Sequence, residues 1–385
     1  MAWLGRHSDL IFYKITKRYL VRVCKAWYYL ASPLLFEYIF LGRGRVLAPL
    51  RDGMLRSEQA VELQESPHTI GWRTQRLDVH IRDRTDNRAL IMDILTDILR
   101  RLPNLRILTF AVIGHGYDAY YDYYLPESVL EATNACRDTL QILNWYGGLK
   151  PPPNAWASFL ENHPRLEAIN VPVALTQLEN SHIVLNSLKS VYVYCYTNPL
   201  TEPDIENELW NIDLPNIRHA IYDITPIFPG LEIASQDFLP KIGPKLTSIQ
   251  INCFKAYSAD PSLFFAFYNT FLNMAVNCKN LTRVDIVTSE WQIPTPGDFP
   301  KTVHTLGIRV NAHLIPKRFM DPFFGSTIHV LSDFSSLRTI CFMDQANVRA
   351  LRAHPRVLRA NLIRILELDV NAIDHEGQPL YDSLR

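Results

Sequence analysis

Leu105-Arg106-Ile107-Leu108-Thr109-Phe110 and Leu140-Gln141-Ile142-Leu143-Asn144-Trp145 share one pattern: apolar, two variable residues, apolar, one variable, apolar. Positions four and six are two apart, so they share one face of a strand and require burial. The pattern recurs at Leu166 to Val171, Leu188 to Val193, Leu246 to Ile251, Leu281 to Ile286, Leu337 to Phe342 and Ile363 to Leu368. Weaker copies begin at Thr74, Ile217 and Val303. The starts fall 22 to 35 residues apart, about 29 on average, which suits the larger, helix-containing leucine-rich-type repeats. One such strand buries too little alone, whereas stacked neighbours share a continuous core.

Helices are expected between the strands. Residues 90–102 place Leu90, Ile91, Ile94, Leu95, Ile98, Leu99 and Leu102 at helical spacing. Residues 154–162 carry Trp156, Phe159 and Leu160 behind Asn154, an expected N-cap. Residues 260–277 open with Asp260-Pro261, and residues 345–359 also read as helical. Prolines punctuate the passage from helix to strand at Pro103, Pro164, Pro215, Pro244 and Pro300. The expected fold is α/β: a leucine-rich-repeat-like solenoid over 74–370, with 42–73 as a connecting segment and 371–385 as a tail. The alternative is an ordinary α/β domain pair with alternating strands and helices.

The chain has 385 residues, 48% hydrophobic and 20% charged, the balance of a folded protein. Net charge is zero, yet residues 1–60 hold ten Lys/Arg against four Asp/Glu. That basic start suits an acidic partner or the solvated faces of helices. No zinc-finger spacing or aromatic-rich RNA signature points to nucleic acid. Cys24, Cys136, Cys195, Cys253, Cys278 and Cys341 are scattered without a C-x-x-C pair, as expected of reduced, buried side chains rather than metal ligands. No secretory signal or run of eighteen apolar residues is found, so a cytoplasmic or nuclear location and no membrane span are expected.

Residues 1–41 differ from the repeats and read as helical. Within them, the stretch from Val23-Cys24-Lys25-Ala26-Trp27-Tyr28-Tyr29-Leu30 through Ala31-Ser32-Pro33-Leu34-Leu35 to Leu41 resembles the second half of an F-box. The chain is thereby similar to the F-box/leucine-rich-repeat proteins, numerous in fungi. The resemblance implies a helical module that docks on the Skp adaptor of a cullin ubiquitin ligase, with repeats that hold the protein to be ubiquitinated. It further implies a receptor role without chemistry, with Leu20, Val23, Trp27 and Leu30 as adaptor-binding positions. Val23, Trp27 and Leu30 form one helical stripe. The Leu-Pro-x-Glu opening of the family is not among residues 1–15, so the box is incomplete. The alternative for this segment is an N-terminal cap on the first repeat.

No P-loop, H-E-x-x-H or G-x-S-x-G is present. No enzyme activity, cofactor or metal is expected. Asp78 and His80 alternate on a strand and are expected on a solvated rim. Tyr117, Tyr120, Tyr121, Tyr123 and Tyr124 form a tyrosine-rich loop suited to contact or to covering repeat edges, and residues 196–213 form an acidic insertion. Positions five and seven of each motif face away from the core. They read as a strip of tyrosine, amide and acidic groups, suited to an unknown protein substrate. Tyr146, Tyr192, Tyr194, Asp223, Gln250 and Asn252 are the expected partner-binding residues.

Overall fold

The computed structural model describes residues 24, 34–65, 67–81, 88–113, 123–145, 149–150, 152–170, 183–194, 212–223, 238–253, 271–289, 291, 300–312 and 315–381. The chain divides into two compact units, Arg6–Lys189 with Asp204–Asn216, and Ser190–Pro203 with Ile217–Arg385 and Met1–Gly5.

The first unit runs β1 (Tyr38–Leu41), α1 (Leu47–Glu62), α2 (Ile70–Arg73), β2 (Arg76–Ile81), α3 (Arg88–Leu99), β3 (Ile107–Ile113), α4 (Glu127–Ala132), β4 (Ile142–Trp145), α5 (Pro153–Asn162) and β5 (Ala168–Asn170). Each strand pairs in parallel with the next one in that series. Tyr123–Tyr124 pairs with Leu149–Lys150, and Ile183–Val184 with Ile212–Asp213. Parallel neighbours need a crossover, which the helices supply, and α1, α3, α4 and α5 pack in succession.

The second unit contains β6 (Ser190–Tyr194), β7 (His219–Asp223), α6 (Phe238–Ile242), β8 (Ser248–Cys253), β9 (Arg283–Thr288), β10 (Thr305–Val310), α7 (Lys317–Asp333), β11 (Thr339–Phe342), α8 (Gln345–Arg352), α9 (Pro355–Leu366) and β12 (Asn371–Ile373). Its strands are also parallel, each beside its predecessor in that list. Among the described residues, the strands of neither unit close into a barrel.

The motif explains this order. Leu77, Val79, Leu108, Phe110, Leu143, Trp145, Ile249, Ile251, Val284, Ile286, Ile340 and Phe342, at positions four and six, are fully buried. Position one is buried too, from Leu105 and Leu140 to Leu246, Leu281 and Val303. Thr74 holds that position in the first copy, where its Oγ1 donates to Phe36 O and Ile70 O, both at 3.0 Å. A buried hydroxyl is tolerated there because its hydrogen is used.

Register between motif copies is held by a shared carbonyl. Arg106 N and Ile107 N donate to Gln75 O, Thr247 N and Ser248 N to Arg218 O, and Arg338 N and Thr339 N to His304 O. The turns repeat as well: Asn104 Nδ2 donates to Trp72 O, Asn216 Nδ2 to Asn186 O and Asn280 Nδ2 to Pro244 O, at 2.7 to 2.8 Å. Asparagine therefore recurs just ahead of the strand in these copies.

Residues 42–73 carry α1 and α2, and Phe36-Glu37-Tyr38-Ile39-Phe40-Leu41 is a further motif copy whose last four residues form β1. Three expectations are corrected. Ile363 to Leu368 is not a strand. It falls largely in α9, where Leu358, Leu362 and Ile365 are buried at spacings of four and three, so the helical period prevails. The last strand is instead Asn371–Ile373, inside the expected tail. Residue 154 does not cap α5, because Pro152 is the N-cap and Pro153 the first helical residue. The helix expected over 345–359 is two helices, broken at His354-Pro355. Of the helix expected over 260–277, residues 271–277 are helical and the start lies outside the described residues.

Candidate interaction surface

The sheet face opposite the core decides what the strands present. In the first unit, Asp78, Thr109, Asn144 and Asn170 stand side by side in register, all at position five. Asn170 Nδ2 donates to Asn144 Oδ1 at 2.6 Å, and Asn144 Nδ2 to Thr109 Oγ1 at 3.3 Å. Asp78 is fully buried rather than on a solvated rim. It accepts from Tyr38 Oη at 2.5 Å and from Arg76 Nη2 at 3.1 Å, while the Arg76 guanidinium lies 4.7 Å from the Tyr38 ring centre. Burial, then the Asp78 charge, pushes the Tyr38 phenol well above its ordinary pKa.

In the second unit, the position-five row is Tyr192, Ile221, Gln250, Asp285, Gly307 and Cys341. Gln250 Nε2 donates to Asn252 Oδ1 at 2.7 Å. Arg283 Nε donates to Asp285 Oδ1 at 2.8 Å, and burial raises the Asp285 carboxyl against that pull. Gly307 makes room for this pair, since a Cβ there would lie 1.9 Å from Asp285 Oδ1 and 2.7 Å from Met343 Sδ. Arg309 reaches Asp344 at 3.6 Å, and Asp344 also caps α8 by accepting from Ala346 N at 2.7 Å.

Of the expected partner-binding residues, Tyr192, Gln250 and Asn252 are placed and buried, with exposures of 7%, 4% and 0%. Gln250 and Asn252 turn polar atoms toward each other rather than toward solvent. Tyr194 and Asp223 lie on β6 and β7, in register with each other. Their side chains, together with Tyr146 and the adaptor positions Leu20, Val23, Trp27 and Leu30, lie outside the described residues, as do most of the tyrosine loop and the acidic insertion.

At the start of β7, His219 Nδ1 lies 2.8 Å from Ser248 Oγ on β8. Burial pulls its imidazole from 6.5 down to about 4. Between those values the unfolded chain holds a proton that the folded chain lacks, so stability falls as pH drops through that window. The loss expected from this residue is on the order of 3 kcal/mol. Buried His163 shifts in the same direction, again through burial. In urea titrations between pH 7 and 4, His219→Gln should show a shallower acid loss than the parent, and equal slopes would contradict the assignment.

A second open feature was missed in the sequence. At the amino ends of β1 to β4, a groove of about 440 Å³ is lined by Leu34, Glu37, Trp72, Arg73, Gln75, Asn104, Arg106 and Thr139. Trp72 is 48% exposed and stacks on His68 at 3.7 Å. Arg73 and Arg106 have no ion pair among the described residues. These residues occupy short helical turns and loops, where no periodicity marks them.

Burial raises three of the described thiols, Cys136, Cys278 and Cys341. Cys136 and Cys278 are buried, and burial pushes each thiol up to about 12, so both are protonated at neutral pH. Cys253 and Cys341 are buried as well, whereas Cys24 is exposed. No described helix is long and apolar enough to cross a membrane. No family model matches the chain, and no curated protein matches it.

Proposed function

We propose that this chain is a leucine-rich-repeat-like solenoid that serves as the substrate-recognition subunit of a Skp–cullin–F-box-type ubiquitin ligase. It holds a protein on its repeat surface and performs no chemistry itself. The observation that carries the repeat reading is the recurrence of one strand with its turn and shared carbonyl, in register, along each unit. The ligase role is supported by the resemblance of residues 23–41 to an F-box, with Leu20, Val23, Trp27 and Leu30 as the adaptor contact. The substrate contact falls on the outward strip at Tyr146, Tyr194 and Asp223, because Gln250 and Asn252 bond to each other.

A second reading, a free-standing binding scaffold, is favoured by one observation. Tyr38–Leu41, the end of the F-box-like stretch, is hydrogen-bonded into the sheet as its first strand. This is what a terminal cap does. Co-purification of the full chain with the Skp adaptor separates the two. Truncation is a poor control, because removing residues 1–60 would delete β1 and most of α1. Trp27→Ala/Leu30→Ala is the better one. Retention by the parent and at least about tenfold loss in the double variant are expected. A folded parent that retains no adaptor would overturn the ligase role and leave the scaffold.

A further inference from the structure

Between Gln345 and Leu366 the chain carries five arginines and no acidic residue. This is the span of α8 and α9. Arg349, Arg352, Arg356, Arg359 and Arg364 are all exposed. Arg352 is answered by Asp374 at 3.4 Å, and Arg364 Nη1 donates to Asn361 Oδ1 at 3.2 Å. Among the described residues, Arg349, Arg356 and Arg359 have no ion-pair partner.

The placement on α9 is ordered. Successive helical residues turn by about 100°, so Arg356, Arg359, Ile363 and Leu366 fall within an arc of about 80°. Leu358, Asn361, Leu362 and Ile365 take the buried face. Ile363 and Leu366 are each 41% exposed. The stripe is thus cationic at its amino half and aliphatic at its carboxyl half, over about 15 Å. Glu367 and Asp369 follow the last turn.

Folding of the helix does not account for Arg356. It stands in the first turn of α9, which contains no acidic residue. A cation there opposes the exposed N–H groups and the helix dipole. An external carboxylate would offset that repulsion, and a guanidinium takes one in bidentate fashion.

We propose that the outer stripe of α9, with Arg349 of α8 as further positive charge, docks an acidic segment of a partner protein. Glutamate or aspartate meets Arg356 and Arg359, and an apolar side chain covers Ile363 and Leu366. Charge complementarity selects the acid. The aliphatic half selects protein over nucleic acid, which stacks its bases on aromatic rings. Two aliphatic side chains without an aromatic residue form a small anchor for a lipid surface. The inference rests on these helices alone, so the adaptor experiment can fail without touching it.

The test is fluorescence anisotropy of the full chain with a labelled helical peptide that carries glutamates one turn from two leucines. A single-stranded RNA oligonucleotide and phosphatidylserine vesicles are the other two probes. The peptide is expected to bind, with affinity about tenfold weaker in Arg356→Glu/Arg359→Glu and in Ile363→Ser/Leu366→Ser. Arg356→Glu should leave the thermal midpoint unchanged or higher, because it places an acid in the first turn. Arg356→Gln/Arg359→Gln repeats the binding loss without charge reversal and guards against misfolding. The proposal is overturned if the parent does not bind the peptide, or if the arginine variants bind it as the parent does. It is also overturned if RNA or vesicles bind more tightly through the same arginines.

Discussion

Gly71→Ala is expected to destabilise the chain by about 3 kcal/mol, the upper end of the usual cost of overpacking against rigid neighbours. Gly71 is buried in α2, and a Cβ there would stand 1.8 Å from the backbone oxygen of Arg101 and 2.9 Å from its carbonyl carbon. Neither side can retreat easily. Arg101 N is bonded to Ile98 O and Leu102 N to Leu99 O, while the Arg101 side chain pairs with Glu58. On the other side, Asn104 Nδ2 holds Trp72 O at 2.8 Å. Backbone meets backbone, so no rotamer change relieves the clash. Gly325→Ala is the contrast. Gly325 lies within α7 with nothing inside 4 Å of its added Cβ, so alanine should stabilise by about 0.5–1 kcal/mol through helix propensity. Urea midpoints followed by tryptophan fluorescence measure both. A Gly71→Ala midpoint equal to that of the parent would show that α2 does not rest on the Arg101 carbonyl.

Trp156→Ala is expected to cost about 3–5 kcal/mol, as large-to-small changes in a closed core do. Trp156 is fully buried, stacked on Phe159 at 5.1 Å and edge-on to Trp145 at 6.2 Å. Trp145 in turn packs against Phe110 at 5.4 Å. The four rings link β3, β4 and α5, so their loss opens a cavity between the strands and the helix. Trp156→Phe should cost far less. Trp156 Nε1 is buried without a hydrogen-bond partner, and phenylalanine removes that unmet donor while keeping most of the ring. Equal losses for the two variants would show that ring volume is not what holds this core.

The outward strip and the turn groove differ in how far the sequence reveals them. Position five lines up across strands as the motif requires, from Asp78 to Asn170 and from Tyr192 to Cys341. Burial of that row was not legible. Alternation assigns a side chain to a face but does not state what neighbours it there. The Arg283–Asp285 pair over Gly307 depends on a glycine one strand away. Trp72 and Arg73 sit in α2, a four-residue helix too short for any period to emerge.

What the sequence determined by itself is the α/β class, most of the strands and the buried identity of positions one, four and six, because solvent exclusion acts on each strand through a local two-residue period. The helix of α3 was equally local, with Leu95, Ile98 and Leu99 on one face. The tertiary structure alone decided the rest. It made β1 a member of the sheet and gave Ile363 to a helix, since apolar residues three apart satisfy a strand motif and a helical face alike. It also turned Gln250 and Asn252 toward each other and set Gly71 against Arg101. The Gly71–Arg101 contact joins groups whose distance is fixed by the packing of helices and turns, which no window of consecutive residues contains, and the Gln250–Asn252 bond, though local, is a choice of side-chain rotamer that alternation does not state.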